Sequence, residues 1–265
     1  MRRGTKKRGI LILYSPSAQI NYERLAHLCG RLANWHLKVP IHIEAIQPKQ
    51  KNFRTFRYPG GELQGTEWNN IGRFDAYRIS PFDETLLIDA DYFVQCDTLA
   101  NYFGSDHDFI CHNRSWDISG NDVFRHDLYM TQNWFDMRWA TVCYFKKSDH
   151  AQRIFDTWRM VYENYEYYSD LFGFKKTPFR NDFALSIAHQ ICNGYTNTAT
   201  FDYSLPALSS TDSVVDYANG RWLCKYELKD SHNILRYKGD LHVMNKRSIL
   251  DADTDVYTKL WNSVG

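Results

Sequence analysis

The stretch Glu84-Thr-Leu-Leu-Ile-Asp-Ala-Asp-Tyr-Phe-Val-Gln-Cys-Asp97 holds a buried strand that runs straight into two carboxylates. The strand is Thr85 to Ile88, and the acids are Asp89 and Asp91. Carboxylates at positions i and i+2 point to one side of an extended chain, so the pair can share one cation. Oxygen ligands suit Mg²⁺ or Mn²⁺. Two charges directly after Leu86-Leu87-Ile88 would be expensive to bury without a metal or a partner. Ligands of α/β sheets sit at the C-terminal ends of parallel strands, which is where this pair lies. The second pair of this spacing, Asp251 and Asp253, lacks that context and reads as a loop or helix-cap pair before a short C-terminal helix.

Working outward, the first apolar run, Ile10 to Tyr14, is a strand that ends in the turn Ser15-Pro16-Ser17. Apolar positions at helical spacing follow from Asn21 to Asn34, and Val39 to Ile43 reads as a second strand, completing a βαβ unit. A helix is expected from about Trp68 to Ile79, before the turn at Ser80-Pro81. Further strands are expected at Phe109–His112 and Ala140–Phe145, a long helix after Ser148, and a second helix from Asp182 to Ile191. The Tyr-, Ser- and Thr-rich stretch that follows, to Tyr217, shows no clear period. Leu241 to Met244 reads as a short strand leading to Lys246. These elements predict an α/β fold, a mostly parallel central sheet flanked by helices, as one domain over residues 1–265 without internal repeats.

The composition agrees with a folded chain: 265 residues, 43% hydrophobic and 24% charged. Its 18 Tyr, 16 Phe and 8 Trp exceed what a core of this size needs, so some rings are expected at a cleft. A net charge of +1 gives no global field for nucleic acid. Basic residues do cluster locally, at Arg2, Arg3, Lys6, Lys7 and Arg8, and again at Lys49, Lys51, Arg54 and Arg57 with Phe53, Phe56 and Tyr58 between them. The run from Ile10 is too short for a signal-peptide core or a membrane span, so a cytoplasmic protein without a membrane partner is expected. Six cysteines without a CxxC pair look like buried thiols, neither a zinc site nor a disulfide frame.

The run Ser80 to Val94, with a helix before it and Cys96-Asp-Thr-Leu99 after it, resembles the Asp-x-Asp region of GT-A glycosyltransferases, particularly those similar to family 8. The resemblance extends from about residue 9 to 247, its most specific part being the Asp-x-Asp run. The half from about 9 to 110 looks like a nucleotide-binding (Rossmann-like) half, and 111–265 like an acceptor-side half that includes Asn181-Asp-Phe-Ala-Leu-Ser-Ile-Ala-His189. His242 and Lys246 look like the family's C-terminal His and Lys, although the glycine between them is missing. The resemblance implies a hexosyl- or pentosyltransferase that uses a nucleotide-diphosphate sugar and Mn²⁺ or Mg²⁺. Asp91 would ligate the metal, Asp89 would bind ribose and reach the metal through water, and His242 would be a third ligand. Lys246 would hold the diphosphate, Tyr14 and Ser15 would touch base and ribose, and Arg73 or Arg78 would reach the phosphates. Asp182 is the catalytic candidate on the acceptor side, with a helix N-cap as its plainer role.

Two rivals have other chemistry. A sugar nucleotidyltransferase needs a Gly-rich basic loop after the first strand, where this chain has Tyr14-Ser-Pro-Ser-Ala-Gln19. A non-catalytic binding module would have little use for an intact acid pair. The acceptor is either a saccharide or a modified DNA base, a hydroxymethylated pyrimidine of the kind bacteriophage enzymes glycosylate. The DNA reading is motivated by the basic and aromatic residues of 49–58 and by residues 2–8.

Overall fold

The fold is known from a computed structural model, which describes residues 6–46, 72–120, 136–173, 179–194, 196, 198–228 and 231–264. Strand β1 (Arg8–Tyr14) is buried from Ile10 to Leu13, a run that needs cover on both faces. Asn21 caps α1 (Tyr22–Leu37), its side chain accepting a hydrogen bond from the Arg24 amide at 2.9 Å. Leu25, Leu28, Cys29 and Leu32 recur at helical spacing and are fully buried. Lys38 ends the helix in the left-handed region, and β2 (Ile41–Ala45) returns parallel to β1, with Ile10 opposite Ile41. The expected βαβ unit forms.

The helix expected from about Trp68 to Ile79 is much shorter. A 3-10 turn at Arg73–Asp75 leads into α2 (Ala76–Ile79). Gly72 sits at φ +147°, a conformation open to glycine and closed to a helix, so no helix passes through it. Residues 68–71 lie outside the described residues. Strand β3 (Glu84–Asp89) then pairs parallel with β1, with Leu13 opposite Asp89. Beyond the acid pair come β4 (Tyr92–Phe93), a 3-10 turn (Thr98–Tyr102), β5 (Phe109–His112), β6 (Ser115–Asp117) and β7 (Trp139–Lys146). Ser148 caps α3 (Asp149–Glu163) as its sequence position predicts, accepting from the Ala151 amide. Helices α4 (Tyr165–Leu171) and α5 (Asn181–Asn193) complete that part, with α5 packed on β7 and α3 on α5.

The central sheet has the order β2-β1-β3-β7-β5. Only β7 runs against its neighbours, so four of the five strands point the same way. The mostly parallel, helix-flanked α/β sheet is therefore present. The last third of the chain adds β8 (Leu205–Leu208), β9 (Ser213–Ala218), β10 (Arg221–Leu228), β11 (Ser231–Tyr237), β12 (Leu241–Val243), α6 (Arg247–Leu250) and α7 (Val256–Asn262). Here β4-β12-β8-β6 make a second sheet and β11-β10-β9 a third. The sequence reading found no elements at β8 through β11. Asp251 and Asp253 lie in the loop before the last helix: Asp253 donates its amide to the Asp251 carboxylate, and Asp255 occupies the cap position.

Among the described residues no helix is long and apolar enough to cross a membrane. All six cysteines are free thiols; Cys29, Cys111, Cys143 and Cys224 are buried, while Cys96 and Cys192 are half-buried.

Candidate metal and donor site

The two acids are brought to their partners by strand pairing. After β3 the chain turns at Ala90-Asp91 and enters β4, which pairs antiparallel with β12 so that His242 stands opposite Tyr92. The turn is pinned twice: the Val243 amide donates to the Asp91 carbonyl at 2.9 Å, and the Cys29 thiol donates to the Ala90 carbonyl at 3.0 Å. Asp91 and His242, 151 positions apart, thereby share one spot. Asp89, Asp91 and His242 each offer one ligand atom, all within 4.8 Å of one another.

Each acid also has a cation. Lys246 Nζ lies 2.7 Å from Asp91 Oδ2, and His242 Nε2 lies 3.4 Å from Asp91 Oδ1. Burial alone would raise the Asp91 pKa, but Lys246 and then His242 outweigh it and hold the carboxyl below the usual range. The same pairing overcomes burial at Lys246 and raises its pKa. Asp89 behaves oppositely. Burial pushes its pKa up, Arg73 pulls it down by a smaller amount, and the Asp91 charge adds to the rise.

Of the two arginines proposed for phosphate contact, the structure separates one from the other. Arg73 is fully buried, with its guanidinium bonded to the Asp89 carboxylate and to the Ala140 and Thr141 carbonyls of β7. The Arg78 side chain is 71% exposed and pairs with Asp75 at 3.3 Å. It lies at the last turn of α2, whose Ala76 is buried while Arg78 is exposed.

Asp182 joins the same network from α5. Its Oδ1 accepts from the Ala140 amide at 2.9 Å, and its Oδ2 from Arg180 at 3.1 Å. One residue of β7, Ala140, thus has Arg73 on its carbonyl and Asp182 on its amide. The N-cap role is corrected, because Arg180 occupies that position and no side chain caps the helix. Tyr14 and Ser15 follow Leu13, which is opposite Asp89, so both stand at the same sheet edge as the acids. Ser15 is buried and Tyr14 half-buried.

A further residue was read from sequence only as an apolar helical position. Tyr22, the first residue of α1, has its phenol pKa raised by burial and feels the charges of Lys246, Asp91 and Asp89. Its position directly after an N-cap next to the first strand's end was the available signal.

The N-terminal basic cluster is partly used inside the fold. Arg8 Nε lies 3.2 Å and Lys6 Nζ 3.7 Å from the Glu84 carboxylate. Arg2, Arg3 and the residues 49–58 lie outside the described residues.

No protein-family model matches the sequence, and no curated protein matches it. Solved structures do show likeness. One is the galactosyltransferase LgtC in complex with donor and acceptor sugar analogues: 11% identity, 97% of this chain and 96% of that one covered, TM-score 0.46. Another is the glycosyltransferase GlyE of Streptococcus pneumoniae TIGR4 in its apo form: 11% identity, TM-score 0.40, with 74% of this chain covered. The match spans 45% of GlyE, less than half of its length. A third is a glycosyltransferase involved in glycosylation of the major capsid of PBCV-1: 13% identity, TM-score 0.32, 58% and 66% covered. Likenesses this distant assign no role to any residue of this chain.

Proposed function

We propose that the chain is a divalent-metal-dependent glycosyltransferase of GT-A type, similar to family 8, acting as one domain on a nucleotide-diphosphate sugar. The observation that carries this reading is the Asp89, Asp91 and His242 cluster at the end of a central parallel strand, with Lys246 beside it. Two carboxylates and an imidazole whose ligand atoms lie within 4.8 Å of one another fit Mn²⁺ or Mg²⁺. Asp91 and His242 would hold the ion and Asp89 would complete its shell. When bound, the ion supplies positive charge to a leaving diphosphate.

Charge balance favours that ligand. Asp89 and Asp91 are already offset by Arg73 and Lys246, so a divalent ion leaves the site with two positive charges in excess. A nucleoside diphosphate supplies the complement. Lys246 is tied to Asp91 and to the Met244 carbonyl by a long flexible stem, and it can transfer its ammonium to a developing phosphate charge. Arg73 cannot: buried and bonded on two sides, it fixes the Asp89 carboxylate toward ribose. Tyr14, Ser15 and Tyr22 would border the base and ribose. Asp182, held through the β7 backbone, would orient the acceptor side.

For the acceptor we propose a saccharide hydroxyl. Lys6 and Arg8 spend their charge on Glu84, which weakens the N-terminal cluster as a DNA contact.

The test is a panel of nucleotide sugars with and without Mn²⁺. Nucleoside diphosphate release that needs the metal and rises with a saccharide acceptor supports transfer. Pyrophosphate release would identify a nucleotidyltransferase, and no turnover with any donor would reject both enzymes.

A further inference from the structure

A second place on the molecule has the chemistry of a ligand site. A cleft of about 640 Å³ opens beside the four-stranded sheet, at the end of β12 where Asp240 precedes Leu241. Its lining includes none of Asp89, Asp91, His242 and Lys246, although Asp240 on its wall stands two residues before His242. Its volume falls in the range of small-molecule sites.

The lining is specific in kind. Trp116 of β6 is 45% exposed, far more than most large rings of this chain. Tyr237 meets it in an edge-to-face arrangement, with ring centroids 6.2 Å apart and planes at 69°. Asp202 is fixed by Tyr102: the phenol donates to Oδ1 and accepts from the Asp202 amide at 3.1 Å. Among the described residues nothing bonds Oδ2, which is left for a ligand. Asp240 is held by the Gln95 and Cys96 amides at 2.6 and 3.0 Å, which makes that wall rigid. The hydroxyls of Ser204 and Thr98 complete the polar set.

We propose that this cleft binds a neutral saccharide, one pyranose laid on Trp116 with its hydroxyls bonded to Asp202 and Ser204. A pyranose presents an apolar C–H face and a rim of hydroxyls, which an amphipathic ring beside a fixed carboxylate matches. Phosphate-bearing ligands are disfavoured, because among the described residues no Lys or Arg lines the cleft and two acids do. A quaternary ammonium would want a ring box and a strong counter-ion. The two rings here meet edge-on, and Asp240 is already occupied, its Oδ1 accepting two amides and its Oδ2 the Tyr92 hydroxyl. This binding needs neither metal nor nucleotide, so it can succeed or fail independently of the transfer reaction.

The experiment is saturation-transfer NMR on the whole chain in EDTA, with lactose, maltose, cellobiose and N,N′-diacetylchitobiose as probes. At least one disaccharide is expected to bind saturably. Trp116→Ala and Asp202→Asn should each weaken that binding about tenfold while the melting temperature stays near wild type. Should Trp116→Ala fail to fold, the exposed Asp202→Asn decides. The proposal is overturned if no disaccharide binds, if both variants bind like wild type, or if choline or UDP shows Trp116-dependent binding while the sugars show none.

Discussion

Asp89 and Asp91 are two residues apart, yet they sit in different mechanical settings. Asp89 ends a strand of the central sheet and is clamped by Arg73, a side chain with no exposure at all, itself bonded to β7. Asp91 lies in the turn toward the second sheet and is paired with Lys246, whose side chain is 22% exposed. Burial raises the Asp89 pKa, whereas Lys246 and His242 depress that of Asp91 against the same burial. The difference teaches which charge is framework and which is exchangeable. A buried guanidinium with several partners cannot leave without stranding them, but a lysine at the rim can trade its carboxylate for a phosphate.

The largest expected effect tests the framework half. Arg73→Ala removes one partner of a buried pair together with its hydrogen bonds to two β7 carbonyls, which should cost about 3–5 kcal/mol of stability. Urea denaturation followed by circular dichroism measures it. A loss below about 1 kcal/mol would mean that Asp89 is solvated as readily as Asp91, and the contrast would collapse.

The exchangeable half should show itself in activity. Asp91→Asn removes a ligand charge from a turn whose backbone ties, to Val243 and Cys29, do not involve the side chain. The fold should therefore persist while metal-dependent turnover falls by about a thousandfold, and stabilisation by donor with Mn²⁺ should vanish. Near wild-type turnover would remove Asp91 from the metal site.

Lys246→Ala comes next. Its ammonium serves a charge that develops as the leaving group departs, so turnover should fall by roughly ten- to a thousandfold with a smaller change in donor KM. A rise in donor KM at unchanged kcat would instead place Lys246 in uniform binding, and its trade of Asp91 for phosphate would not be part of the reaction.

How much of this could be read from residues alone follows from how local each signal is. The acid pair was legible because an apolar strand and its two carboxylates are adjacent in sequence. His242 and Lys246 were found by resemblance, since their meeting with Asp91 depends on β4 pairing with β12, a contact no local pattern encodes. The hairpin of β9 and β10 was legible and was passed over. Its two-residue loop is Asn219-Gly220, with φ of +53° and +69°, the dipeptide most suited to such a turn. What hid the strands is the register shift at Leu223/Cys224, which breaks alternation, together with a largely exposed β11. Arg73 and Arg78 were indistinguishable because sequence states charge and spacing but not which residue a glycine-started turn directs inward.

That last ambiguity supplies the smallest effect and the sharpest control on the comparison. Arg78 and Arg73 are five residues apart on the same short helical segment and carry the same charge, so a long-range electrostatic role in phosphate binding would be shared between them. The Arg78 side chain is mostly in water and meets Asp75, which also has Arg159 as a partner. Exposed pairs of this kind contribute little, so Arg78→Ala should change stability by less than about 0.5 kcal/mol. Donor KM should be unchanged within error, since screening at physiological salt confines an exposed charge to about 8 Å. Steady-state kinetics with the active nucleotide sugar, run at low and physiological salt, checks both statements. If Arg78→Ala raises donor KM severalfold at physiological salt, phosphate recognition reaches beyond the buried network, and the division between a fixed arginine and a mobile lysine must be redrawn to include it.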